Sequence, residues 1–160
     1  MNIAETLGNF ELNKVYYLEP IKNTVIDNSS FIRILYSNSL FILNGIYLEI
    51  NFNEVYIDNY NHRIKYCFFP EKNTDILNTI KNLENNLLKK VNIKNKKLSS
   101  KIFDQLNSGF IKICNDHKDF FTNKFILKIS GIWESQDEYG LTYKFIDIEY
   151  NIGINQPSVE

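Results

Sequence analysis

The strongest chemical signal in this chain is a set of cations standing among aromatic side chains. Arg33 lies beside Phe31, Arg63 and Lys65 beside Tyr66, and Lys112 beside Phe110. Lys128 and Lys144 share one segment with Trp133, Tyr139 and Tyr143. A single-stranded nucleic acid needs both ingredients. Cations track its phosphates and release counterions, and flat rings stack its bases whatever their sequence. Each stacked base contributes about 1–3 kcal/mol. The same residues also have a plainer use, because aromatics fill cores and lysines solvate strand flanks. For Trp133 both roles stay open. For one binding surface, Arg33, Arg63, Lys65, Lys112 and Lys128 should share one exposed concave face; scattered over several sides, they no longer support the reading as a set.

Other chemistries are less well served. His62, Cys67, Cys114 and His117 have ligand-type side chains, but five positions separate His62 from Cys67, so one regular strand turns them to opposite sides. A structural zinc site is not expected. There is no G-x-S-x-G elbow, no phosphate-binding G-x-x-x-x-G-K-[ST] loop and no G-x-G-x-x-G turn. Asp116 with Asp119, and Glu134 with Asp137 and Glu138, read as solvated loop acids rather than magnesium ligands. No enzyme, metal or cofactor is expected.

Composition bounds the class. The chain has 160 residues, 44% hydrophobic and 14% aromatic, which fits one folded domain rather than a disordered chain. Net charge is −1, so any attraction for a polyanion must come from a local patch. Two cysteines make no disulfide framework. The N-terminal residues lack a signal-peptide pattern, and no stretch approaches the roughly 18 apolar residues of a membrane span. An intracellular, soluble, reduced protein with no membrane partner is expected.

Strand-like segments must position the cations. Residues 14–20, 31–37, 40–50, 54–58 and 62–69 carry β-branched and aromatic residues between Asn-rich and Ser-rich turns. Gly45 interrupts the third of these and marks a bend. An apolar stripe of Ile76, Ile80, Leu83, Leu87 and Val91, widened by Leu77 and Leu88, predicts a helix over 74–91 with Asn73 or Thr74 as N-cap. A basic stretch, 89–97, follows. A short helix is predicted over 98–106, capped by Ser99 or Ser100 and ended at Gly109, then a strand over 110–114 and a polar loop over 115–124. Two long strands, 124–133 and 141–150, close the pattern. Simple alternation puts Phe125, Leu127, Ile129 and Trp133 on one side of the first, and Lys128, Ser130 and Ile132 on the other.

The order of elements, a strand meander, a helix and a strand pair, is that of an OB-fold. The expected class is α+β, mainly β: an OB-like antiparallel barrel or sheet over residues 1–150. One long helix would lie between the third and fourth strands, with an extra helix-strand insertion and a flexible tail over 151–160. LNGIYLEI (43–50), NTIKNLENNLLKK (78–90) and above all LKISGIWESQDEYGLTYKF (127–145) resemble single-stranded DNA-binding proteins of nucleocytoplasmic large DNA viruses. The resemblance implies an OB-like core and a part in viral DNA replication or repair. It draws attention to Trp133, Tyr139, Tyr143 and Lys144. The alternative is an interaction or virion subunit that uses the same sheet to bind protein, as a homo-oligomer.

Overall fold

The computed structural model describes residues 4–23, 28–60, 63–113 and 123–147. Four strands come first: β1 (Glu5–Thr6), β2 (Val15–Tyr17), β3 (Ile21–Lys22) and β4 (Ser30–Ser37). They are followed by β5 (Ile42–Leu43), β6 (Ile46–Asn51), β7 (Tyr56–Tyr60) and β8 (Arg63–Cys67). Helix α1 (Thr74–Lys89), β9 (Lys97–Ser99), α2 (Lys101–Asn107), β10 (Phe110–Ile113), β11 (Lys124–Glu134) and β12 (Glu138–Asp147) complete the order.

The protein is mainly β, as its composition predicts, but its strands form two sheets, and no barrel closes among the described residues. β11 is the axis of the larger sheet. β12 runs antiparallel along one edge of β11; on the other, β6 pairs with residues 124–129 and β4 with residues 131–134. β1 adds to β6 and β9 to β12, both in parallel, while β2, β3 and β5 pair with β4. The smaller sheet has the order β10-β8-β7.

The long helix therefore follows the eighth strand rather than the third. Part of the difference is local. Gly45, at φ 126, breaks the expected 40–50 strand into β5 and β6, which pair with different partners. Leu98, predicted as helical, lies in β9, where the edge of β12 recruits it: Lys97 N–H donates to the Asp137 carbonyl at 2.9 Å. Gly109 ends the α2 region as expected, at φ 82. The tail expected over 151–160 lies outside the described residues. No described helix is long and apolar enough to cross a membrane.

One core joins both sheets and both helices. Ile32, Ile34, Leu48, Ile50, Leu127 and Ile132 of the larger sheet meet Ile80, Leu87 and Leu88 of α1, Ile102 and Leu106 of α2, and Ile64 and Ile111 of the smaller sheet. Each fully buried side chain of this kind contributes about 1.5–3 kcal/mol. Rings stitch the sheets together: Phe52 stacks on Phe68 at 4.3 Å between centroids, and Tyr66 meets Phe125 edge-on at 5.0 Å.

Two buried polar side chains fix the helices. Asn73 occupies the N-cap position of α1 but does not cap with its side chain. Its Oδ1 accepts Asn53 N–H at 2.7 Å, and its Nδ2 donates to the carbonyls of Asn53 at 3.1 Å and Phe69 at 3.0 Å. Glu84 of α1 does the capping one helix away. Its carboxylate accepts the N–H groups of Ile102 and Phe103 in the first turn of α2, both at 3.0 Å. Ser100 makes no side-chain cap there. Burial pushes the Glu84 carboxyl above its usual range, against the opposing pull of those two N–H groups.

Replacing Glu84 by Gln turns one acceptor into a donor facing a backbone N–H. The expected cost, read from denaturant unfolding, is about 1–3 kcal/mol. The pH response also changes. Between the usual carboxylate range and the raised value, the folded protein holds a proton that the unfolded chain has lost. Stability therefore falls as pH rises through that window. Unfolding curves of Glu84→Gln across mildly acidic pH should lack that decline.

Candidate nucleic-acid interface

The outer face of the larger sheet depends on one irregularity. Ile129 pairs with Tyr143 and Gly131 with Thr142, so β11 has one more residue than β12 at this point. Ser130 is the extra residue of a β-bulge. Past it, the alternation of β11 inverts. Ile132 enters the core, fully buried, and Trp133 joins Lys128 on the outer face. This corrects the grouping that regular alternation predicts, in which Trp133 shares the core side with Phe125, Leu127 and Ile129.

Three cross-strand rows then define that face, since directly opposed residues point the same way. The first is Tyr47, Lys128 and Lys144; the second Arg33, Gly131 and Thr142; the third Phe31, Trp133 and Gly140. The two glycines leave room for rings. A Cβ on Gly131 would lie 2.5 Å from the Phe31 ring, and one on Gly140 would lie 2.8 Å from the Trp133 ring. Lys128 Nζ sits 5.4 Å from the Tyr47 ring centroid, and Lys101 Nζ sits 4.5 Å from that of Trp133. Arg33, Lys128, Trp133 and Lys144 are thus brought together, with Phe31, Tyr47 and Lys101 beside them. Glu49 is the acid in the neighbouring row, opposite Ile126.

Lys128 and Lys144 face each other directly across the central strand pair. Opposed like charges weaken a sheet, by an amount on the order of 0.2–1 kcal/mol. Tyr47 stands in the quoted 43–50 segment, but nothing in that segment ties it to Lys128. Lys101 opens α2, and no sequence pattern places it over Trp133.

The other expected residues lie elsewhere. Tyr139 is 6% exposed and belongs to the core rather than to the outer face. Tyr143 opposes Ile129, and its hydroxyl donates to Gln105 Oε1 and to the Lys101 carbonyl, which ties β12 to α2. Burial raises its pKa to about 12. Both tyrosines alternate with Lys144 and Thr142 on β12, which turns them inward.

Lys65 and Lys112 belong to the smaller sheet, where Asp58, Lys65 and Lys112 form one row. Both ammonium groups lie over the Phe110 ring, at 4.2 and 5.5 Å from its centroid. Arg63 is the first residue of β8, and its side chain is outside the described set. Because Tyr66 on the inner face of this sheet packs on Phe125 on the inner face of the larger one, the two outer faces turn away from each other. The expected cations divide between them instead of sharing one face.

The basic stretch is partly structural. Lys90 Nζ donates to the Leu12 carbonyl at 3.2 Å. Lys96 Nζ donates to Glu134 Oε1 at 2.7 Å and to the Ser135 carbonyl at 2.8 Å, clamping the stretch to the turn between β11 and β12. The hydrogen bond from Lys96 holds the Glu134 carboxyl below its usual range, and Ser30 Oγ adds a second donor. Glu134 is thus engaged as an ion-pair partner. Among the described residues no group of three or more His, Cys, Asp or Glu side chains lies together. His62, Cys114, Asp116, His117 and Asp119 lie outside them.

Comparison with family models, with characterised proteins and with solved structures returns no match for this chain.

The bulge generates a direct test. Ser130→Ala keeps the residue count and should stay within about 0.5 kcal/mol of the parent. Deleting Ser130 removes the extra residue without changing the phase, so Gly131 still opposes Thr142 and Ile132 still enters the core. The cost is that of straightening β11 where its partner changes from β6 to β4, about 0.5–3 kcal/mol. Thermal unfolding read through Trp133 emission distinguishes the two.

Proposed function

We propose that this chain is a non-enzymatic single-stranded nucleic-acid-binding protein with little sequence preference, and that its contact surface is the outer face around β11. The observation that carries the reading is the Lys128–Lys144 pair, set directly opposite each other on the face that also holds Arg33 and Trp133. This arrangement weakens the isolated sheet and becomes favourable when a phosphate lies over it. Rings of Tyr47, Phe31 and Trp133 lie beside the cations, and stacking on rings does not depend on base identity. With a net charge of −1, the attraction comes from local patches such as this one rather than from the molecule as a whole. An OB-like origin for the sheet, and a role in viral DNA replication or repair, belong to the same proposal and rest on the resemblance of segments 43–50, 78–90 and 127–145.

A different observation favours the second reading, an interaction or virion subunit that self-associates. Tyr16 opposes Leu35, Ile21 opposes Phe31 and Ile42 opposes Ser37, all on the outer side of β4. Leu18 donates its N–H to the Arg33 carbonyl at 2.9 Å and stands between them. Ile21 is 58% and Ile42 68% exposed, and exposed apolar side chains on one face of a sheet are characteristic of protein contacts.

Titration with oligo(dT) at two salt concentrations, followed by Trp133 fluorescence, tests the first reading. Quenching that weakens with salt is expected. Lys128→Gln with Lys144→Gln should weaken binding about tenfold or more at 0.1 M salt and reduce the salt slope by about 1.4, the share of two phosphate contacts. No quenching and no gel shift at low salt would refute nucleic-acid binding. Self-association that disappears in Ile21→Ser with Ile42→Ser would then support the second reading.

A further inference from the structure

We infer that the outer face of the smaller sheet is a second nucleic-acid contact surface, so that one molecule holds two segments of single strand at once. The inference rests on the reading of the larger sheet and extends it. Lys65 and Lys112 repeat, on β8 and β10, the arrangement of Lys128 and Lys144: two lysines directly opposed in antiparallel register on an outward face. Both lean on one ring, that of Phe110, within about a Debye length of each other at 0.1 M salt (~10 Å). Cation–π contact with a half-buried ring holds the amines in place, so little side-chain freedom remains to be lost when an anion binds.

The surroundings match as well. The adjacent row is Tyr56, Cys67 and Phe110, with Tyr56 exposed and Cys67 buried. The Tyr56 ring stands 5.7 Å from that of Phe69, also exposed, and Lys72 Nζ lies 5.2 Å above Phe69. Ring faces therefore flank the lysine pair, as they do on the larger sheet. Among the described residues, two acids lie beside these side chains. Glu54 is paired with Lys72, and Asp58 opposes Lys65 from the other side, which leaves the Lys112 side of the row cationic. A phosphate backbone is the partner that fits paired cations with stacking surfaces beside them.

The two surfaces cannot serve one short strand, because the inner faces of the sheets pack on each other through Tyr66 and Phe125. A protein with two such faces brings two strands, or two distant parts of one strand, together. Donor-labelled and acceptor-labelled oligo(dT) of about ten nucleotides test this, with the number of oligonucleotides per chain counted at saturation by sedimentation. Two per chain and energy transfer between labels are expected. Lys65→Gln with Lys112→Gln should keep the quenching of Trp133, lower the count to one and weaken the second binding event about tenfold or more. One oligonucleotide per chain in the parent protein, with Trp133 quenching intact, would overturn the inference and leave the first surface standing; a dimer with one site per chain gives that same count. No binding of any kind would overturn both.

Discussion

β11 has to satisfy three partners, and the extra residue at Ser130 is what lets it do so. On one edge it pairs with β6 up to Ile129 and with β4 from Gly131 onward. The partner changes at the bulge. A regular strand that kept Ser130 could not change the phase of its side chains there, and Trp133 would oppose Tyr139 and face the core instead of joining Phe31 and Gly140. The surrounding glycines belong to the same constraint. A Cβ on Gly131 would lie 2.3 Å from the Ile32 carbonyl oxygen, and one on Gly45 2.9 Å from that of Ile129. Backbone crowding at this junction leaves no space for side chains.

The helices depend on that sheet and on each other. α1 buries Leu77, Ile80, Leu83, Leu87 and Leu88, and the same helix supplies the Glu84 carboxylate that caps α2. An acid at 1% exposure is tolerated because it accepts two backbone N–H groups that would otherwise be unpartnered. α2 in turn anchors β12 through Tyr143 and carries Lys101 over Trp133. The outer face is therefore coupled to the core through short paths: Trp133 rests against Gly140, and Lys101 begins the helix that Glu84 holds.

Function is best judged from features that stability alone does not favour. Opposed lysines on β11 and β12, opposed lysines on β8 and β10, and a strip of exposed aliphatic residues beside β4 are all of this kind. The lysine pairs point to an anion, and the aliphatic strip points to protein. The strip is carried mainly by β2, β3 and β5, on strands other than those that hold the lysine pairs, so the proposed nucleic-acid contact and the alternative self-association would draw on different side chains.

Much of this architecture is legible in the residues. The stripe from Ile76 to Val91 predicts α1, the β-branched and aromatic runs predict most strands, and Gly45 marks the bend. These are local: a 3.6-residue or two-residue period, or a φ that only glycine takes easily, is written in neighbouring positions. Tertiary structure decided the rest. The extra residue at Ser130 exists only in relation to the strand opposite, so alternation within β11 alone assigns Trp133 to the wrong side. Residues 97–99 follow the same logic, because the edge of β12 draws a predicted helix start into β9. The pairing of lysines across strands, the split of the cations between two faces and the burial of Tyr139 are all set by register and packing, which depend on contacts between residues far apart in the chain.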